Sequence, residues 1–378
     1  MHVAFTTTFD AREVRHWSGT PYYMANAFRD AGMEVTYIGN LPRKLPPFFK
    51  PKQLLKKWLG KRESPRFNQF AAKHYSSQVA KQLLNHPSDV VISPLINPIV
   101  YLETNKPIVL WTDALYAALL GFYSQFSAHS AATIAQGNEL TKACLSRVQL
   151  AIFSSQWAAN SALELYGAAK EKVKVVPFGA NISVSPTFEE IQQMIQNRPK
   201  NKIRLLFLAK SWERKGGDIV LQVTDTLHKQ GYPIELHIVG FTPPIDPIPS
   251  YVHCHGFISK NTEQGQRTIR QLLADTHFLF VPSRAEAYGI VFCEANAFGL
   301  PCLTTYVGGI STIVRDDING KTFSISAPVS AYCDYIVNLF NHPARYQDLA
   351  LSSYHEYTQR LNWQSSVKEV KRLLHTII

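Results

Sequence analysis

Short apolar runs alternate with helical stretches along most of the chain. The first run, HVAFTTT, precedes helical apolar spacing from Thr20 to Ala31, a stop at Gly32 and a second run, EVTYIG. Further strand-like runs are DVVISPL, KPIVLWT, LAIFSS and VKVVPFG. Strands alternating with helices predict a parallel sheet, because the chain must cross over between neighbouring strands. Residues 1–180 are therefore predicted to form a doubly wound, Rossmann-like α/β domain.

A second series of the same kind follows a polar, helical segment over residues 181–201, which we interpret as a linker. Its strand-like runs are IRLLFLA, IELHIVG, VHCHGF, HFLFVPS and LPCLTTY. Residues 202–359 are predicted to form a second doubly wound domain, and an amphipathic helix within 360–378 is expected to pack back on the first. Two such domains would face each other across a cleft, with ligands at the carboxyl ends of the strands.

Length and cysteine usage agree with this organisation. A chain of 378 residues is long for one core and suits two domains. None of the five cysteines forms a C-x-x-C pair, so we predict reduced thiols and a cytoplasmic protein. The first residues do not have the basic and apolar regions of a signal peptide, and no apolar run is long enough to span a membrane.

The net charge of +11 is concentrated in the N-terminal half. Residues 1–178 carry 20 Lys and Arg against 11 Asp and Glu, whereas residues 179–378 carry 19 against 17. Segment 43–62 has eight basic residues and no acidic one. A short helix there would place an apolar face between lysines, which suits the inner face of an anionic membrane and a lipid-linked acceptor; the apolar residues are Leu54, Leu55, Trp58 and Leu59. The alternative is an ordinary loop and helix over the cleft.

Three segments of the second domain carry candidate chemistry. Lys210 and Lys215 lie at a strand-to-helix turn, where ammonium groups and a helix N-terminus suit a diphosphate. The alternative is a solvated basic turn. The last of the three along the chain is Tyr306-Val307-Gly308-Gly309-Ile310. It permits a tight turn beside a ligand but is a weak signal alone.

The second segment, PSRAEAYGIVFCEA, contains two carboxylates eight residues apart. Glu286 is predicted in the loop after a strand and Glu294 about one turn into the next helix. Two carboxylates at this spacing can each hold vicinal hydroxyls, one pair on a sugar and one on a ribose. Gly289 lets backbone N–H groups approach a phosphate. The alternative is a helix-terminal charge and a solvated helix glutamate.

In this order and spacing, the segments resemble glycosyltransferase family 4, a large family of retaining GT-B enzymes. Its Glu-x7-Glu pair is matched by Glu286 and Glu294, and the resemblance extends over essentially the whole chain, including VPFGAN and Trp17-Ser18-Gly19-Thr20. The resemblance implies the GT-B fold, a nucleotide-sugar donor, and a sugar, glycan or lipid-linked acceptor. It implies neither a metal nor a cofactor, and no Asp-x-Asp pair occurs.

The resemblance also implies residue roles. Glu286 would hold the donor sugar, Glu294 the ribose, and the two lysines the diphosphate, although Lys210 replaces the family's usual Arg. Asp113 falls where many members have a His that contacts the sugar. The catalytic candidates are therefore Glu286, Asp113 and Lys215. The remaining donor-binding candidates are Gly19 near the phosphates, His255, Gly256 and Phe257 beside the base, and Ala287, Tyr288, Gly289 and Ile290 around the first glutamate.

Several alternatives stay open at this point. A retaining sugar phosphorylase or a nucleotide-sugar epimerase can share the fold. A nucleic-acid-binding protein is disfavoured because the basic residues cluster in one loop without a recognised motif. A dinucleotide-dependent oxidoreductase is disfavoured because no G-x-G-x-x-G follows the first strand. Both UDP-sugars and GDP-mannose remain candidate donors.

Overall fold

A computed structural model describes residues 1–58 and 60–378, without the side chains of Lys52 and Lys57. The chain divides into two compact units: unit 1 comprises Met1–Phe178 and Ser366–Ile378, and unit 2 comprises Gly179–Ser365. Leu59, which the sequence predicts on the apolar face of segment 43–62, lies outside the described residues.

Unit 1 contains a six-stranded sheet of order β2-β1-β3-β4-β5-β6, in which every neighbouring pair is parallel. The strands are β1 His2–Thr6, β2 Glu34–Ile38, β3 Val90–Ser93, β4 Ile108–Thr112, β5 Leu150–Phe153 and β6 Val173–Val175. The helices are α1 Thr20–Asp30, α2 Phe49–Trp58, α3 Gln69–Leu83, α4 Tyr116–Leu119, α5 Ser124–Ser127, α6 Ala131–Arg147 and α7 Gln156–Tyr166, with 3-10 turns at His16–Gly19, Pro65–Phe67 and Lys170–Lys172.

The core of unit 1 follows from strands that are apolar on both faces. All residues of β3, β4 and β5 are buried, as expected where helices cover both sides of a parallel sheet. Trp111 and Tyr116 belong to this buried set, whereas Phe122 and Tyr123 are partly exposed. Trp111 and Tyr116 therefore contribute to the core of the unit.

Unit 2 contains a second six-stranded parallel sheet, of order β12-β11-β10-β7-β8-β9. The strands are β7 Ile203–Leu208, β8 Ile234–Val239, β9 Val252–Cys254, β10 Phe278–Val281, β11 Cys302–Thr305 and β12 Gly320–Phe323. The helices are α8 Phe188–Asn197, α9 Trp212–Lys215, α10 Gly217–Lys229, α11 Glu263–Asp275, α12 Ile290–Asn296, α13 Ile310–Ile313, α14 Val329–Phe340 and α15 Pro343–Arg360.

Two details refine the sequence interpretation. The segment predicted as a linker, 181–201, lies in unit 2, where α8 buries Ile191 and Ile195. The edge strand β12, which begins at Gly320, was not among the strands predicted from the sequence. This strand was missed because its sequence, GKTF, is short and polar.

The C-terminal helix α16, Trp363–Leu374, follows in the chain. From Ser366 it belongs to unit 1, where the Ser366 hydroxyl donates to the Pro177 carbonyl at 2.7 Å. All five cysteines are free thiols, with Cys254 exposed and the other four buried. None of the described helices is long and apolar enough to cross a bilayer.

Candidate functional site

The Glu286 carboxylate lies between two cationic side chains. Glu286 is buried in the loop that follows β10, and Lys215 is the buried last residue of α9. The Lys215 ammonium donates to Glu286 Oε2, and an Arg214 guanidinium nitrogen lies 3.7 Å from the same oxygen. Burial lowers the pKa of Lys215 to about 7, and the charge of Arg214 acts in the same direction. The carboxylate in contact opposes this shift, because it favours the ammonium form.

Backbone contacts bring the three sequence segments together. The Arg284 amide donates to the Arg214 carbonyl at 2.7 Å, and the Gly309 amide donates to the Glu286 carbonyl at 3.1 Å. Gly216 has a φ of +74°, and a Cβ there would lie 2.2 Å from the Pro282 carbonyl oxygen. A glycine is therefore required for this approach of the lysine turn to the glutamate loop.

Glu294 is the most buried acid of the site, with 2% of its surface exposed. It projects from α12, which begins after Gly289, a left-handed residue with a φ of +96°. Glu294 Oε2 accepts a hydrogen bond from Lys260 at 2.5 Å. Glu294 Oε1 is buried and has no hydrogen-bond partner among the described residues. A carboxylate oxygen in that position can accept a hydrogen bond from a ligand.

Lys210 and Lys215 contact different groups. Lys210 follows β7, is exposed, and places its ammonium 5.8 Å from the centroid of the Phe257 ring. The Gly256 carbonyl accepts from the Gly240 amide at 2.8 Å, which fixes the loop at the ends of β8 and β9. Lys210 therefore lies beside loop 255–257, the predicted neighbour of the base, whereas Lys215 lies beside Glu286.

The neighbours of Glu286 offer mainly backbone groups. The side chains of Ala287 and Tyr288 are buried, and the Tyr288 hydroxyl lies 3.6 Å from Cys293 Sγ. Ile290 is partly buried at the start of α12. These side chains stabilise the loop, so any contact of Ala287 and Tyr288 with a ligand would come from the main chain.

Unit 1 holds the other predicted residues in a strained turn between β1 and α1. Trp17, Ser18 and Gly19 have φ values of 48°, 55° and 89°. Two consecutive residues other than glycine in the left-handed region are unusual, and such strain clusters at ligand sites. The turn lies between the end of β1 and the start of α1, at the carboxyl edge of the sheet, where doubly wound units bind ligands.

Asp113 is connected to this turn by a hydrogen bond. It follows β4, is partly buried, and its carboxylate is hydrogen-bonded by the Trp17 side chain, whose indole N–H can only donate. Burial raises the pKa of Asp113 to about 6, and the charge of Arg66, the Asp113 amide and Trp17 each lower the pKa in part. The structure thus brings Gly19 and Asp113, which the sequence named separately, to one place through Trp17.

Four residues of these clusters were missing from the sequence-based site: Arg214, Lys260, Trp17 and Arg66. Arg214 precedes Lys215 in the chain and Trp17 lies in the quoted Trp17-Ser18-Gly19-Thr20, but the sequence does not show where their side chains point. Lys260 lies in the loop beyond β9, on the carboxyl side of the sheet. The rule that ligands bind at this edge was the available signal for Lys260.

Comparison with solved structures identifies the fold of the molecule. Both units have the doubly wound parallel sheet of GT-B glycosyltransferases, and the predicted fold is confirmed. Sucrose-phosphate synthase from Thermosynechococcus elongatus has a TM-score of 0.73 at 16% identity, with 100% of this chain and 99% of that chain covered. Anabaena HepE, solved in complex with UDP, has a TM-score of 0.68 at 16% identity, with both chains fully covered.

Residues 202–342 match the model of the family described as Glycosyl transferases group 1, in agreement with the resemblance predicted from the sequence. A D-inositol 3-phosphate glycosyltransferase from Xylanimonas cellulosilytica is 25% identical over 232 residues, which cover 57% of this chain and 54% of that protein. A second, from Catenulispora acidiphila, is 26% identical over 242 residues, covering 58% and 55%. The chain thus spans about half the length of the curated relatives it matches.

Proposed function

We propose that this protein is a glycosyltransferase that moves a hexose from a nucleotide-sugar held in unit 2 to a hydroxyl group of an acceptor. The observation that carries the proposal is Glu294 Oε1, a buried carboxylate oxygen without a partner among the described residues. A buried acceptor without a donor is costly, whereas the vicinal hydroxyls of a ribose supply two donors at this position. Glu286, between Lys215 and Arg214, offers a second carboxylate for the sugar.

The names of similar proteins support this choice of donor. Anabaena HepE has been solved with UDP, with UDP and glucose, and with UDP-glucose. Two curated relatives are named D-inositol 3-phosphate glycosyltransferases. We infer a nucleoside-diphosphate sugar as the donor, with UDP-sugars and GDP-mannose as the two classes to be tested.

The proposed chemistry retains the anomeric configuration. The bond between the anomeric carbon and the diphosphate breaks, the acceptor oxygen bonds the same face of that carbon, and the acceptor proton passes to the leaving diphosphate. Lys215 and Lys210, together with backbone N–H groups near Gly289, would stabilise the charge that develops on the diphosphate. In this proposal cationic side chains act where a metal ion acts in other transferases. Glu286 and Asp113 position the sugar and do not attack it.

The first test is a thermal-shift panel of UDP, GDP, ADP and their common sugar conjugates, with and without EDTA. We expect one nucleotide to raise the melting temperature selectively, in the presence of EDTA as in its absence. No shift with any nucleotide, together with sugar release from a glycoside by inorganic phosphate, would instead identify a phosphorylase. Conversion of the nucleotide-sugar into its epimer without an acceptor would identify an epimerase.

Replacement of Glu294 by glutamine is expected to raise the dissociation constant of the selected nucleotide by roughly 10–100-fold, because a hydrogen bond to a charged group contributes about 1.5–3 kcal/mol. Glutamine keeps the shape of the side chain but removes the charge that the ribose hydroxyls and Lys260 contact. Isothermal titration with the free nucleoside diphosphate measures the effect. The matched control is Glu263→Gln, at an exposed acid in the first turn of α11. Equal affinities in wild type and Glu294→Gln would contradict the ribose assignment.

We also propose that segment 43–62 associates with an anionic membrane surface, where a lipid-linked acceptor would be found. On helix α2, Leu54, Leu55 and Trp58 are exposed by 74%, 62% and 84%. Phe48, just before the helix, is exposed by 80%. Lys56 is one of the lysines beside this face, and its Nζ atom forms an ion pair with Glu63 Oε1 at 3.3 Å. An exposed apolar face beside basic residues supports binding at a lipid interface.

The triple substitution Leu54→Ser, Leu55→Ser and Trp58→Ser is expected to lower partitioning onto phosphatidylglycerol vesicles at least about tenfold, since a buried apolar side chain contributes roughly 1.5–3 kcal/mol. Vesicle co-sedimentation measures the partitioning, and added salt should weaken it. Two exposed leucines elsewhere in unit 1, Leu84 and Leu165, provide a matched control when both are changed to serine. Equal vesicle binding by the triple variant and the wild type would show that α2 is an ordinary surface helix.

A further inference from the structure

A cluster of histidines covers one face of the edge of the sheet in unit 2. Strand β9 is an edge strand, and its His253 pairs in register with His237 of the neighbouring strand β8. Side chains alternate along a strand, so Glu235 and His237 share a face, as do His253 and His255. The His237 ring stacks on both other imidazoles, with centroids 5.0 Å from His253 and 5.4 Å from His255.

Three side chains of this cluster converge on one point. One ligand atom from each of Glu235, His237 and His253 lies within 4.8 Å of the other two. The buried Nε2 atom of His237 has no hydrogen-bond partner among the described residues, and it lies 3.7 Å from Glu235 Oε2. The other ring nitrogen, Nδ1, lies 3.1 Å from His255 Nε2. If Nδ1 donates its proton to His255, Nε2 carries the lone pair that a metal ion needs.

We propose that Glu235, His237 and His253 bind a divalent transition-metal ion, with His255 orienting the His237 ring. Imidazole and carboxylate together suit zinc, cobalt, nickel or copper. Tetrahedral zinc has bonds of about 2.0–2.2 Å, so its ligand atoms lie about 3.3 Å apart. Small rotations bring the three side chains to that separation, since His253 is exposed. Three protein ligands leave the fourth position to water or an exogenous group.

Two cations beside the cluster set how tightly it can bind a metal. Lys202 donates to Glu235 Oε1 at 2.7 Å, and Arg204 donates to Oε2 at 2.6 Å. These contacts orient the carboxylate, and each of its oxygens keeps a lone pair for a further partner. Their positive charges also repel a metal ion. Removal of Lys202 is therefore expected to strengthen metal binding, whereas removal of a ligand residue is expected to weaken it.

This site is separate from the glutamate pair and is not used in the proposed transfer. It is connected to loop 255–257 through His255, whose amide donates to the Ile238 carbonyl at 2.9 Å. Cys254 lies between His253 and His255, so strand alternation directs its thiol to the other face. We therefore expect a ligand set of nitrogen and oxygen without sulfur.

Zinc titration of the full chain, without a histidine tag and after treatment with a chelator, tests the proposal. We expect one equivalent to bind, and cobalt in its place to give the visible absorption of a tetrahedral site. His253→Gln and Glu235→Gln should each weaken binding by roughly 10–100-fold, and Lys202→Gln should strengthen it. His228→Gln, at an exposed histidine on α10, is the matched control and should bind as the wild type does.

His253 is exposed, so its replacement is compatible with folding, and thermal unfolding of each variant verifies this. The absence of a stoichiometric complex at about 100 µM zinc, a concentration well above that needed by an ordered site, would overturn the proposal. Unchanged affinity in His253→Gln would overturn it as well. Because the readout is metal binding and not transfer, its failure would leave the donor assignment untouched.

Discussion

Replacement of Glu286 by glutamine is expected to lower kcat by roughly 10²–10³-fold, the usual effect of removing one preorganised polar contact to the transition state. In the proposed mechanism the carboxylate holds hydroxyls of the sugar as its anomeric bond breaks. The dissociation constant of the free nucleoside diphosphate should stay within about threefold of the wild-type value, because this ligand lacks the hexose that Glu286 is proposed to contact. Single-turnover rates, together with nucleotide titration, separate these two quantities.

The surroundings of Glu286 require a careful choice of control. The Glu286 carboxylate favours the ammonium form of Lys215. Burial acts in the opposite direction and lowers the pKa of Lys215 to about 7. A comparison of the variant with the wild type at one pH alone is inadequate, because Lys215 loses its charge more readily without this partner. The comparison is therefore made from pH 6 to pH 8, with Glu213→Gln, at an exposed acid on α9, as the matched control. A kcat near the wild-type value across this range would remove Glu286 from the site.

The order of elements and the glutamate pair were accessible from sequence because both depend on local patterns. Buried parallel strands are continuous apolar runs, and these runs coincide with β1 and with β3 to β5 in unit 1. Glu286 and Glu294 were identified by their spacing. Their placement around the left-handed Gly289, at the start of a helix, follows from residues that adjoin them in the chain.

Contacts between distant residues could not be predicted in the same way. The hydrogen bond between Trp17 and Asp113 joins residues that are far apart in the chain. It depends on a left-handed backbone at Trp17 and Ser18, which the sequence WSGT does not predict. The same holds for Lys260 with Glu294, since the sequence of a loop does not fix where its lysine points. The histidine cluster was hidden because it requires the register of β8 against β9.

Asp113→Asn is expected to lower kcat by roughly 10–100-fold and to remove an acidic limb from the pH profile, the behaviour of a positioned group whose charge acts in the transition state. Burial raises the pKa of Asp113 to about 6, so the wild-type carboxyl is protonated below that pH and ionised above it. Only the ionised form accepts hydrogen bonds from the sugar with both oxygens. Wild-type activity should therefore rise as the pH increases through about 6. An unchanged acidic limb in Asp113→Asn would assign that limb to another group.

The same substitution should make the folded protein more stable at neutral pH, which separates a functional aspartate from a structural one. The folded-state pKa of Asp113 lies above the ordinary value of 3.8, so the folded state binds this proton more tightly than the unfolded state. The free energy of unfolding consequently falls as the pH rises from about 4 to about 6, and the loss persists above that range. Asparagine carries no charge to bury, and its side-chain oxygen can still accept the Trp17 N–H.

We expect Asp113→Asn to gain on the order of 1–2 kcal/mol at pH 7.5, or a few degrees in melting temperature, and to lose this advantage near pH 4. Thermal unfolding at the two pH values measures the difference, with Asp89→Asn as a control. Asp89 accepts a hydrogen bond from the His2 amide at 2.7 Å before β3. A variant that is less active but more stable would mean that unit 1 keeps a costly, partly buried charge for its chemistry. A loss of stability at pH 7.5 would instead make Asp113 a structural partner of Trp17 and Arg66.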